Sequence, residues 1–184
     1  MNHATIRAAA RISLQGSWAI MAIISFVYGI INYAGARLAP FNLIIVFPLS
    51  YGFMICGLRI ARGEGVHVGT LFDGFKAFVQ TFLAGLLMFI FTMLWALLFI
   101  IPGLIASYSY RMTYYILADN PDISAMDAIT KSKQMMKGNK AELFLLDLSF
   151  IGWYILGAIP SGIGLLWVVP YHLTATAHFY NRLK

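Results

Sequence analysis

The chain is poor in the residues that most soluble enzymes need. It holds a single cysteine, Cys56, so an internal disulfide is excluded, and within its apolar surroundings Cys56 reads as a small buried hydrophobe. Charged residues make up only 11% of the chain, where soluble domains carry about a quarter. Acidic side chains are the scarcest, seven against thirteen Lys and Arg, leaving a net charge of +6. No Walker motif, nucleophile elbow, H-E-x-x-H or glycine-rich dinucleotide turn occurs, which removes the usual sequence basis for nucleotide, hydrolase and zinc-protease chemistry. His172 and His178 stand six residues apart, off the i,i+4 face that paired metal ligands use. Neither a metal nor any other cofactor is therefore expected, and the chain reads as non-enzymatic.

What remains is apolar. Hydrophobic residues are 60% of the chain and the mean hydropathy is +0.77. Several runs reach the roughly 20 residues that cross a hydrocarbon core of about 30 Å. The run from Ala77 to Ala118 lacks any acidic residue over 42 positions. As one straight helix it would be roughly 63 Å long, twice the core. Pro102-Gly103 is the place to turn it, because proline lacks a backbone donor and disfavours helix just before it. The same reasoning gives turns at Arg37-Leu38-Ala39-Pro40 and Pro160-Ser161-Gly162. Six spans follow, at about 17–36, 41–60, 77–101, 103–118, 142–159 and 163–180.

Basic residues orient them. The termini and the two longer loops carry Arg7, Arg11, Arg59, Arg62, Lys76, Lys131, Lys133, Lys137, Lys140, Arg182 and Lys184, whereas the tight turns carry Arg37 alone. By the positive-inside rule both termini are cytoplasmic. Arg7, Arg11 and the segment Ala34-Gly35-Ala36 imitate a secretory signal. The stretch fits instead as the first of three matching hairpins.

Those hairpins are similar. Gly16, Gly74 and Gly138 precede them, Pro40, Pro102 and Pro160 mark their turns, and Tyr51, Tyr110 and Tyr171 follow. The intervals lie between 58 and 64 residues throughout, which is the sequence signature of an internal repeat. WALLFIIPG (95–103) and WYILGAIPS (153–161) match most closely. The expected fold is thus an all-α, polytopic helical bundle forming a single transmembrane domain. Its pseudo-repeats cover about 5–60, 67–118 and 124–180, and each opens with a short interfacial amphipathic helix. In the third of these, Ser124-x-x-Asp127 reads as a capping start. Ile123, Met126, Ile129 and Met136 fall near one face. Such a helix either lies in the headgroup layer or caps the bundle.

One charge stands out. Arg111 falls near the middle of the fourth span, where an arginine costs from about 2.5 to well over 10 kcal/mol unless it is paired or reaches water. Asp147, early in the fifth span, is its leading partner. Tyr108, Tyr110, Tyr114 and Asp119 complete a candidate intramembrane polar cluster, which reads either as the lining of a cavity or as a structural ion pair. Lys131, Lys133, Lys137 and Lys140 are candidate contacts for anionic lipid on the cytoplasmic side. Trp18, Trp95, Trp153 and Trp167 suit interfacial belts. The pairs Gly52/Cys56 and Gly157/Ser161 offer small surfaces for close helix contact. The basic excess follows the topology, so nucleic acid is not an expected partner. Membrane lipids are expected, with a partner membrane protein or a second copy of the chain as further possibilities.

LLFIIPGLIASYSYRMTYYILADNP, AITKSKQMMKGNKAELFLLDLSFIGW and WVVPYHLTATAHFY, in that order and spacing, resemble an uncharacterised bacterial integral-membrane family, domain of unknown function 975. A looser resemblance connects the chain to membrane regions of glycerophosphodiester phosphodiesterases, without their hydrolase domain. The first resemblance implies the bacterial cytoplasmic membrane and six spans. It carries no catalytic residue. The expected role is a non-enzymatic membrane module that binds lipid or a partner membrane protein, the alternative being a small transporter, channel or lipid translocator with a polar cavity around Arg111.

The topology is directly testable. In a Cys56→Ala background, Leu38→Cys or Ser161→Cys labels with an impermeant maleimide from outside intact cells, while Gly65→Cys and Asn139→Cys label only after lysis. The reverse pattern inverts the orientation.

Overall fold

The computed structural model describes residues 3–38, 42–159 and 162–184. Among them every regular element is helical: α1 His3–Ser13, α2 Trp18–Gly35, α3 Asn42–Ala61, α4 Phe78–Leu98, α5 Ile100–Tyr110, α6 Thr113–Asp119, α7 Ala125–Met135, α8 Lys140–Leu148, α9 Ile151–Ala158 and α10 Leu165–Leu183. Short 3-10 helices cover Ala36–Leu38 and Val68–Phe75. Four stretches are long and apolar enough to cross a membrane: α2, α3, α4, and α8 with α9 over Lys140–Ala158. The α5–α6 segment is interrupted at Arg111-Met112, and α10 carries His172, His178, Asn181 and Arg182, so neither joins that group.

The core lies where α3 and α10 pack together, with α2 against both and α4 and α6 against α3. Three short helical segments dock on this frame: α1 on α10, Val68–Phe75 on α3, and α7 on α4 and α6. Periodicity explains the docking of α1 and α7. Ile6, Ala10 and Leu14 recur every four residues and are all buried, as are Ala128, Ser132 and Met136. Spacing of four keeps a stripe on one helix face. Two residues beyond each stripe the chain reverses through a glycine in the left-handed region, Gly16 at φ 83° and Gly138 at φ 85°, a conformation that costs other residues strain.

Several sequence expectations are corrected. The 77–118 run turns at Phe99, whose extended backbone (φ −160°, ψ 147°) separates α4 from α5. Pro102 instead occupies the first turn of α5, where helical N–H groups lack partners in any case. Gly103 serves the packing: a Cβ there would lie 2.8 Å from the Ala96 Cα. Gly74 is not a left-handed break. It admits close contact, since a Cβ would stand 2.0 Å from the Pro48 carbonyl oxygen. Met126 is 48% exposed, so the buried face of α7 is Ala125, Ala128, Ile129, Ser132 and Met136. Gly52 packs on the Leu71 carbonyl rather than on a neighbouring long helix, and Gly157 packs on Gly164 within its own hairpin. Pro40, Pro160 and Ser161 lie outside the described residues.

Two long helices are broken, and the short helices repair the breaks. Between α5 and α6, the Ser132 hydroxyl of α7 donates to the Ser109 carbonyl (2.8 Å) and accepts from the Met112 N–H (3.2 Å). Between α8 and α9, Arg7 of α1 donates to the Ser149 carbonyl at 3.1 Å. Away from water a free backbone polar group costs several kcal/mol, so such partners are required rather than optional. Ser132→Ala is expected to lower unfolding stability in detergent by about 1–3 kcal/mol, the penalty for unsatisfied buried groups. Denaturant titration against wild type measures it, and an unchanged midpoint contradicts the repair.

Candidate functional site

Arg111 caps α5 where that helix breaks, and the polar network beside it draws on α5, α8, α9 and α10. The Arg111 Nη2 lies 3.9 Å from Asp147 Oδ2 on α8, a charge contact too long for a hydrogen bond. Asp147 is held more tightly by others. Tyr108 donates to Oδ2 at 2.9 Å, and His172 Nε2 stands 2.7 Å from Oδ1. Tyr154 Oη lies 2.9 Å from His172 Nδ1. A carboxylate can only accept, so Nε2 carries a proton, and in the neutral ring Nδ1 accepts from Tyr154. The chain Tyr154–His172–Asp147–Tyr108 is thereby satisfied.

Arg111 itself is under-used. Its side chain is 38% exposed, and its buried Nε has no hydrogen-bond partner. It lines two cavities. One, of about 340 Å³, lies between α3, α4 and α5–α6, with Phe47, Met54, Met88, Phe89 and Tyr114 in its wall. The other, of about 220 Å³, lies towards α10, walled by Tyr28, Ser50, Tyr115, Tyr154 and His172. The first is largely apolar, with Ser50, Thr92 and Ser107 beside Arg111 in its lining. Gly85 makes room in it, because a Cβ there would collide with Tyr114 Oη at 2.4 Å and with the Phe47 ring.

Arg111, Asp147 and Tyr108 thus come together, and the other members of the expected cluster do not reach Asp147. Tyr110 turns to Phe91 on α4, ring centroids 6.1 Å apart. Tyr114 sets its ring edge-on to Tyr51 at 5.7 Å. Both line the larger cavity with Arg111, but from another face of the helix. Asp119 belongs to a separate cluster at the end of the bundle. It pairs with Arg62 (2.7 Å) and Lys184 (2.8 Å) and accepts from Tyr180 (2.7 Å). Burial alone would raise its pKa, yet hydrogen bonds from Arg62, Lys184 and Tyr180 outweigh that and hold the carboxyl down at about 2. Glu142 pairs with Arg182. Lys131, Lys133 and Lys137 are exposed and Lys140 is half-buried. His172, Tyr154 and Tyr28 were not anticipated as site residues. Among the described residues no group of three His, Cys, Asp or Glu is placed to hold a metal ion.

An all-α protein with four membrane-length helices and a charged network inside the bundle is a membrane protein by class. Residues 97–184, which include Arg111, Asp147 and His172, match the family described as protein of unknown function (DUF975). No curated protein and no solved structure matches the chain.

The pairing predicts a specific pattern of stabilities. Asp147→Asn removes the only acidic neighbour of Arg111 among the described residues and is expected to cost about 1–3 kcal/mol. That is below the roughly 3–5 for a fully buried pair, because Arg111 is partly exposed. Arg111→Gln in the same chain recovers part of the loss. Melting of the two single variants and the double in detergent measures the coupling, and strictly additive losses contradict it.

Proposed function

We propose that this chain is a non-enzymatic, six-span protein of the bacterial cytoplasmic membrane that holds an anionic amphiphile on Arg111. Two helical segments supplement the four long apolar helices. The α5–α6 segment covers 100–119 and α10 covers 165–183, each roughly 28–30 Å at 1.5 Å per residue. That is enough to cross the hydrocarbon core. With both included, the termini share one side, and the loop arginines and lysines put that side in the cytoplasm.

A threefold repeat accounts for the packing. Each short helix docks on the second helix of the preceding hairpin, taken cyclically: Val68–Phe75 on α3, α7 on α6, and α1 on α10. The first helices follow the same rule, with α4 on α3, α8 on α5, and α2 on α10. The alignment extends to single residues. Met21 and Ile24 follow Gly16 by five and eight positions, as Leu143 and Leu146 follow Gly138, and all four are fully buried.

The observation that carries the functional reading is the state of Arg111. It is a guanidinium inside the bundle with one long charge contact, an unpartnered Nε and a cavity on either side. A guanidinium offers five donors and cannot deprotonate, which suits it to a phosphate or carboxylate headgroup. The apolar wall of the larger cavity suits the chain attached to that headgroup. Because Arg111 lines both cavities, passage of such an amphiphile from one to the other is the second reading, that of a lipid translocator.

Dodecyl phosphate, added to protein in a neutral detergent, is expected to raise the melting temperature. Dodecyltrimethylammonium at the same concentration is not. Arg111→Gln abolishes the effect and Arg111→Lys keeps part of it. Equal shifts in wild type and Arg111→Gln contradict the site. Uptake of dodecyl phosphate across sealed proteoliposomes separates translocation from binding.

A further inference from the structure

Away from Arg111, two grooves on the outside of the bundle are built alike. The first, of about 240 Å³, is lined by Trp95 of α4, by Pro102, Ile105 and Tyr110 of α5, and by Lys133 and Lys140. The second, of about 520 Å³, is lined by Trp153 of α9, by Trp167 and Tyr171 of α10, and by Arg11 and Trp18. The correspondence is positional. Lys133 stands five residues before Gly138, and Arg11 five before Gly16. Lys140 and Trp18 each stand two residues after the same glycines. Trp95 and Trp153 each precede a hairpin proline by seven, and Tyr110 and Tyr171 are the repeat tyrosines. Both grooves therefore place a cation from a short docked helix, a tryptophan from the first helix of a hairpin and a tyrosine from the second around one apolar channel.

Their cations are available. Neither groove has a carboxylate in its lining. Arg11 is exposed, and its guanidinium lies 5.9 Å from the Tyr171 ring. Lys133 is also exposed. Its neighbour Ser132 bonds to the Ser109 carbonyl, which fixes Lys133 at the Ser109–Tyr110 end of the first groove. From there to Pro102 the groove follows α5 for seven residues, roughly 10 Å. A charge at one end and an apolar channel running from it match a phospholipid, headgroup first. The net charge of +6 and the basic short helices select an anionic one.

We infer that the two grooves are equivalent binding sites for anionic phospholipid, one headgroup on Lys133 and Lys140, the other on Arg11. This rests on the proposed repeat but not on a ligand at Arg111.

Native mass spectrometry of the full chain, released from nanodiscs of phosphatidylglycerol and phosphatidylcholine in equal amounts, tests it. Wild type retains two phosphatidylglycerol molecules at these sites. Lys133→Gln with Lys140→Gln loses one, Arg11→Gln loses the other, and the triple variant loses both, affinity falling roughly fivefold for each cation removed. Lys76→Gln removes the same charge as Arg11→Gln outside the grooves and retains both lipids. The Arg111→Gln chain also retains both, which separates these sites from the one at Arg111. Equal retention of phosphatidylcholine by wild type overturns the inference without recourse to any variant. So does equal loss from the Lys76 variant, which would reduce the effect to general charge.

Discussion

The demand of one guanidinium for acceptors in an apolar bundle organises the centre of this protein. Arg111 cannot shed its proton, and hydrocarbon offers it nothing. The fold answers with Asp147, and Asp147 in turn is fixed by Tyr108 and His172. That carboxylate sits on α8, its partners on α5 and α10, and the ring that orients His172 on α9. Helices α8, α9 and α10 are thereby tied to α5 through polar groups, where apolar packing alone would leave helix register loosely set. The answer is also incomplete. Asp147 satisfies its other partners at hydrogen-bond distance and Arg111 only at 3.9 Å, which leaves donor capacity facing the cavities.

The same economy governs the backbone. Breaking a membrane helix frees groups that water would satisfy elsewhere. Here α7 and α1 take that role, through Ser132 and Arg7. The short helices are therefore parts of the bundle as well as candidates for the headgroup layer. Their charged residues emerge next to the grooves because the same docking that buries one stripe directs the opposite face outward.

Much of the helical frame was legible in the sequence. The expected spans 17–36, 41–60 and 77–101 lie close to α2, α3 and α4, since uninterrupted apolar runs leave little choice. The turn after α4 was misplaced because proline is permitted in a helix's first turn as well as in a loop. Arg111 and Asp147 were matched by depth along their helices. His172 lies at a comparable depth on α10, but it was weighed only by its spacing from His178, a test for metal ligands and not for a carboxylate partner. Tyr110 and Tyr114 were grouped with Arg111 by proximity in sequence. Helical periodicity separates them: Tyr108 and Arg111 are three apart and share a face, while Tyr110 and Tyr114 form a different i,i+4 pair. The carboxylate of Asp119 was placed at its helix end, but its partners Arg62 and Lys184 come from distant segments that no local pattern announces.

The central claim is that Arg111 receives an anionic headgroup, and an internuclear distance tests it most directly. Protein carrying Arg11→Gln and 13C,15N-labelled arginine, reconstituted in phosphorus-free galactolipid bilayers with dodecyl phosphate, allows 31P dephasing of the guanidinium carbon signals to be recorded by solid-state NMR. The account predicts dephasing at hydrogen-bonded range, absent when Arg111→Gln is added under the same conditions. No dephasing with Arg111 in place, or dephasing that survives Arg111→Gln, contradicts it.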